Sequence, residues 1–87
     1  RAPRTTAKLS YKDQRRLEEI ETQMPKRQAE ISQLETDLAA PDLFARDPAA
    51  FQKKAARLDA ARAELETMEL EGLELLEMQD KLSRNSQ

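Results

Sequence analysis

Ala40-Pro41-Asp42-Leu43-Phe44-Ala45-Arg46-Asp47-Pro48 is the stretch that decides the fold of this 87-residue chain. Pro41 and Asp42 stop a helix arriving from the N-terminal side and favour a turn, or a single 3₁₀ turn. Asp47-Pro48 then restarts one, with a side-chain oxygen at the N-cap and proline at the first helical position. Heptad seams lie on both sides of this break. Before it, Leu17, Met24, Ile31 and Leu38 hold one seam position, while Ile20, Arg27 and Leu34 hold the other. After it, Phe51, Leu58, Leu65 and Gly72 are interleaved with Lys54, Ala61, Met68, Leu75 and Leu82. Arg27, Lys54 and Gly72 are the weak places. Two helices joined by so short a connection pack as antiparallel neighbours.

Charge supports the same arrangement. Lys53, Lys54, Arg57 and Arg62 open the second helix, whereas Glu64, Glu66, Glu69, Glu71, Glu74, Glu77 and Asp80 fill its later part. The first helix is mildly basic early and ends with Glu30, Glu35 and Asp37. This order opposes each helix's own macrodipole. It becomes favourable when the helices run antiparallel and each basic half lies beside an acidic half. Two registers satisfy the seams. One faces Leu34 with Leu58, Ile31 with Ala61, Met24 with Met68 and Leu17 with Leu75, and brings Ser10 level with Leu82. The other, slipped by one heptad, faces Leu34 with Phe51, Ile20 with Leu65 and Leu17 with Met68. The first leaves less helix unpaired and is preferred.

The expected fold is therefore all-α, a two-helix antiparallel coiled-coil hairpin over 9–82. Its parts are a helix over 10–39, a loop over 40–47 containing a 3₁₀-like turn, and a helix over 48–82. Ser10 with Asp13 resembles a capping box at the first start. Leu43 and Phe44 are expected to fold back over the end of the seam. Pro25 removes a helical hydrogen bond and crowds the Glu21 carbonyl, at a cost of roughly 3 kcal/mol in a helix interior. Because the heptad phase continues across it, the expectation is a kink, not a turn. Residues 1–8 read as a flexible basic linker and 83–87 as a disordered tail. The chain starts with Arg1 and not with Met, which suggests a piece of a longer protein.

Composition narrows the chemistry. With one Gly, two Phe, one Tyr and no Trp, there is little from which to build a sheet. Lacking Cys and His, the chain has no thiol nucleophile, histidine base or zinc-finger ligand set. A phosphate-binding loop needs more than the single Gly, and no apolar run is long enough to span a membrane. Asp59, Glu64 and Glu66 read as solvated helix faces, so no catalytic or metal site is expected. The basic residues are the better candidates. Arg4, Lys8, Lys12, Arg15 and Arg16 crowd the N-terminal end, and Lys53, Lys54 and Arg57 lie near the hairpin tip. Such clusters neutralise phosphates without reading sequence. Tyr11 adds a single stacking surface. The competing reading is that Lys12, Arg15, Arg16 and Arg57 simply face acids across the hairpin.

Lys8-Leu9-Ser10-Tyr11-Lys12-Asp13-Gln14-Arg15-Arg16-Leu17-Glu18, the Met24-Pro25 pair and the 40–48 loop together resemble the C-terminal domain of Uup-type ABC-F ATPases. The resemblance covers about residues 8–78. It implies a helical hairpin following two ATP-binding cassettes in a cytoplasmic protein, with ATP as the parent's cofactor and none in this fragment. It also implies association with DNA, with RNA or ribosome contact as the alternative. Family members often carry a tryptophan where this chain has Gly72-Leu73-Glu74-Leu75-Leu76-Glu77, which implies looser packing against Tyr11. The resulting expectation is a non-catalytic, monomeric DNA-binding hairpin with no membrane contact. The alternative is an arm that positions the ATPase on the ribosome or on a protein partner.

Overall fold

The computed structural model describes residues 9–85, and apart from Leu9 and Ser10, which lead into the first helix, all lie in helices or the short connections between them. Helix α1 spans Tyr11–Ala39, α2 is a single turn over Leu43–Arg46, and α3 spans Pro48–Asn85. Helices α1 and α3 lie side by side as a hairpin 68 Å long and only 17 by 14 Å across. The expected basic linker over 1–8 and residues 86–87 of the expected tail lie outside the described residues.

The helix ends follow from local chemistry. Ser10 caps α1, its Oγ accepting from the Asp13 backbone N–H at 3.1 Å. Asp47 does the same for α3, with its Oδ1 accepting from Ala50 N–H at 3.0 Å. Between them, Ala40 N–H donates to Asp37 O and Leu43 N–H to Ala40 O, both 3₁₀-type closures. The Leu43–Ala40 closure is the expected 3₁₀-like turn at Pro41-Asp42, and a single α turn follows it, with Arg46 N–H bonding Asp42 O and Asp47 N–H bonding Leu43 O. Four residues separate the two proline-adjacent breaks closely enough for one α turn to close. At the other end α3 continues through Ser83–Asn85, beyond the expected end at residue 82. Arg84 pairs with Asp80 at 2.7 Å in the last turn, where a cation complements the helix dipole.

Helix α1 runs unbroken through Pro25 with its phase intact, since Leu17 and Ile20 before it and Leu34 after it are all buried. The core is one row wide. It consists of Leu9, Leu17, Ile20 and Leu34 against Leu58, Ala61, Met68 and Leu75, with Met24 and Leu82 packed on the flank. Gly72 settles the register. A Cβ on it would stand 3.4 Å from Ile20 Cγ2, so Ile20 faces Gly72 as the preferred register requires. Leu9 is a core residue outside either seam, sitting just before the N-cap. At the tip Phe44, 57% exposed, packs edge-on against Phe51, the first residue of the α3 seam, with ring centroids 5.3 Å apart.

Gly72→Ala removes the helix cost of glycine, and the added methyl makes an ordinary contact with Ile20. The expected result is a gain of about 0.5–1 kcal/mol in urea unfolding. Gly72→Leu overfills the same site and is expected to lower stability by more than about 1 kcal/mol.

Candidate nucleic-acid interface

The basic residues divide according to what the opposite helix presents. Arg16 grips Glu71 with two hydrogen bonds of 2.7 and 2.8 Å and also holds Glu19 on its own helix at 2.7 Å. Near the tip, Lys54 Nζ donates to Asp37 at 2.9 Å. Arg57 forks onto Glu30, with one bond of 2.8 Å, and reaches Glu64 at 3.2 Å. Arg62 pairs with Glu35 at 2.7 Å. Arg27, the seam intruder, lies 3.0 Å from Glu30 and 2.9 Å from Glu64. Its Nε–H is not aligned on the Glu64 oxygen, so that contact is an ion pair without a directed hydrogen bond. The expected pairing of basic with acidic halves is thus present from Arg16–Glu71 to Lys54–Asp37.

These pairs hold their carboxylates ionised. Hydrogen bonds from Arg57, aided by Arg27, push Glu30 down to about 2. Asp37 lies below its usual range through its bond from Lys54 and then Gln33, and Glu71 through its bond from Arg16. Arg16 and Arg57 are correspondingly raised, chiefly by Glu71 and Glu30 respectively. Their guanidinium groups are already engaged by acids.

The remaining cations are different. Lys12, Arg15 and Lys53 are exposed and make no ion pair among the described residues. Arg15 donates to the Tyr11 hydroxyl at 2.9 Å and lies 5.8 Å from the ring centroid, while Tyr11 itself is 73% exposed. The i,i+4 spacing of Tyr11 and Arg15 was the available sequence signal for this contact. Lys12, Arg15 and Arg16 line one shallow groove, shared with the acids Asp13, Glu18, Glu19 and Glu71. Arg4 and Lys8 lie outside the described residues. Two further exposed cations outside the expected set, Lys26 and Lys81, also make no ion pair among the described residues. The register puts Lys81 level with Tyr11 along the hairpin. Lys53 belongs to the other end, roughly 40 Å from Lys12 at the α-helical rise per residue. The two expected clusters are therefore separate surfaces.

Among the described residues, no group of carboxylates converges as a metal site, and no helix is long and apolar enough to cross a membrane. Glu64 is engaged by arginines, while Asp59 and Glu66 are exposed.

The model of the ABC transporter C-terminal domain family matches residues 8–77. The chain is also 60% identical over 40 residues to the ATP-binding protein Uup of Caulobacter vibrioides. That alignment covers 46% of this chain and 7% of the relative, so the chain corresponds to a small part of such a protein. No solved structure matches. The chain belongs to the ABC transporter C-terminal domain family, as a C-terminal domain of the Uup type of ABC-F protein.

The lowered carboxylates make the hairpin acid-sensitive. A carboxylate depressed on folding contributes stability above its unfolded pKa and loses it as pH falls through the folded value. For Glu30 the window runs from the ordinary 4.5 down to about 2. Thermal midpoints are expected to drop as pH falls through this window, and Glu30→Gln should flatten the profile while lowering the midpoint at neutral pH. Differential scanning calorimetry across the pH series checks both.

Proposed function

We propose that this chain is a DNA-binding coiled-coil hairpin that contacts phosphates without sequence preference. The observation that carries the reading is the set of cations left unneutralised by the hairpin. Lys12 and Arg15 lie beside exposed Tyr11, with Lys53 as a separate contact at the tip. Arg4 and Lys8 continue the N-terminal set in sequence. Arg16, Lys54 and Arg57 contribute through the positive field, since direct phosphate contact requires them to release Glu71, Asp37 and Glu30. The 87-residue domain performs no catalytic step of its own. ATP chemistry belongs to the cassettes of a cytoplasmic parent, and the hairpin, a monomer, supplies a nucleic-acid contact.

The test is a salt titration of duplex and single-stranded DNA binding by the 87-residue chain. Affinity is expected to fall log-linearly with salt, with a slope near −0.9 per phosphate neutralised. Lys12→Glu with Arg15→Glu should weaken binding at least about tenfold and reduce the slope by about two. Both residues are exposed and make no ion pair among the described residues, so circular dichroism should show the helices intact. Loss caused instead by Lys53→Glu alone moves the interface to the tip. Absence of binding even at low salt overturns the reading and leaves the hairpin as an arm facing the ribosome or a protein.

A further inference from the structure

The later part of α3 carries a second apolar row that does not face α1. Leu70, Leu73 and Leu76 are 58, 52 and 47% exposed, although the helix buries Met68, Gly72 and Leu75 in the same stretch. Their spacing of three places them on one i±3 ridge, the kind that packs into the groove of another helix. Glu66 and Glu69 precede Leu70 and Leu73 by four residues, and Glu77 follows Leu73 by four, so acids flank the ridge along its length. None of Glu66, Glu69 and Glu77 makes an ion pair among the described residues. Across the hairpin interface, by contrast, Glu30, Glu35, Asp37, Glu64 and Glu71 are all neutralised by cations. The fold satisfies its inward acids and leaves this outward set uncompensated.

We infer that the Leu70–Leu73–Leu76 ridge of α3 is a docking surface for a basic amphipathic helix of a protein partner. Apolar side chains of that helix would cover the leucines, and its Lys or Arg residues would meet Glu66, Glu69 and Glu77. Charge complementarity selects this occupant. Nucleic-acid phosphates and anionic lipid headgroups are repelled by the acids. A second copy presenting the same ridge would place acid against acid. From Glu66 to Glu77 the surface runs about 16 Å, matching roughly three turns of a partner helix. This inference does not depend on the phosphate reading, which concerns other side chains.

The probe is a synthetic amphipathic peptide of leucine and lysine about three turns long, compared with a permuted isomer of identical composition. At physiological salt the amphipathic isomer is expected to bind the 87-residue chain at least about tenfold more tightly. Methyl resonances of Leu70, Leu73 and Leu76 should shift, while those of Leu17 and Leu58 should not. Leu70→Ser with Leu73→Ser should bring the two peptides within about twofold of each other. Because both leucines are more than half exposed, the hairpin should keep its helicity, and methyl mapping on the unsubstituted chain serves as an independent readout. Equal binding of the two isomers would overturn the inference, as would shifts confined to other residues. So would self-association of the free chain abolished by the same substitutions, which would make a second copy the occupant.

Discussion

Everything in this hairpin depends on two helices keeping one row of contacts in register over most of their length. The row is pinned where Ile20, the largest fully buried side chain, faces Gly72. A helix-interior glycine weakens α3 by roughly 1 kcal/mol relative to alanine. Its place opposite Ile20 marks the register that aligns Leu17 with Leu75 and Met24 with Met68, and there is room there for an alanine methyl in ordinary contact. With a core one seam wide, no second layer can restore a displaced register. The two prolines at the tip, Pro41 and Pro48, act on the same problem by fixing where each helix stops and starts.

Charge then selects orientation within that frame. Lys54, Arg57 and Arg62 near the tip meet Asp37, Glu30 and Glu35, and Arg16 near the open end meets Glu71. Partly exposed pairs of this kind contribute about 0–1 kcal/mol each. Their joint effect is directional, because a parallel arrangement would set the basic start of α3 beside the basic start of α1. Arg27 occupies a seam position with its head reaching Glu30 and Glu64, although its buried Nε–H lacks a directed hydrogen bond.

Much of the fold was legible because it repeats. The seams, the break at Pro41 and the Asp47-Pro48 start all rest on short-range periodicity or capping chemistry. What escaped is what lacks a period. Leu9 lies before the helix and outside the heptad phase, yet it is buried in the same core cluster as Leu17, Ile20, Met68 and Leu75. The last turn of α3 carries the Asp80–Arg84 pair and almost no apolar signal. The candidate site was legible only as composition. Lys53 and Lys54 are neighbours of the same type, but the 100° turn between them points one at Asp37 and leaves the other in solvent. Telling a structural cation from a free one requires the register, and therefore the three-dimensional contacts.

The division between engaged and free cations also constrains how such a domain can work. An arginine already forked onto a carboxylate gains little by exchanging it for a phosphate, because one charge-assisted pair replaces another. On the proposed reading, only a few phosphates per hairpin are then neutralised, so the isolated contact is weak and strongly salt-dependent. A weak contact becomes useful when it is tethered, since a second attachment converts it into an intramolecular event at high effective concentration. A hairpin 68 Å long suits that role. Its unpaired cations and its acid-flanked leucine ridge are opposite in charge and belong to different side chains, so the two surfaces can engage different partners without competing for the same residues.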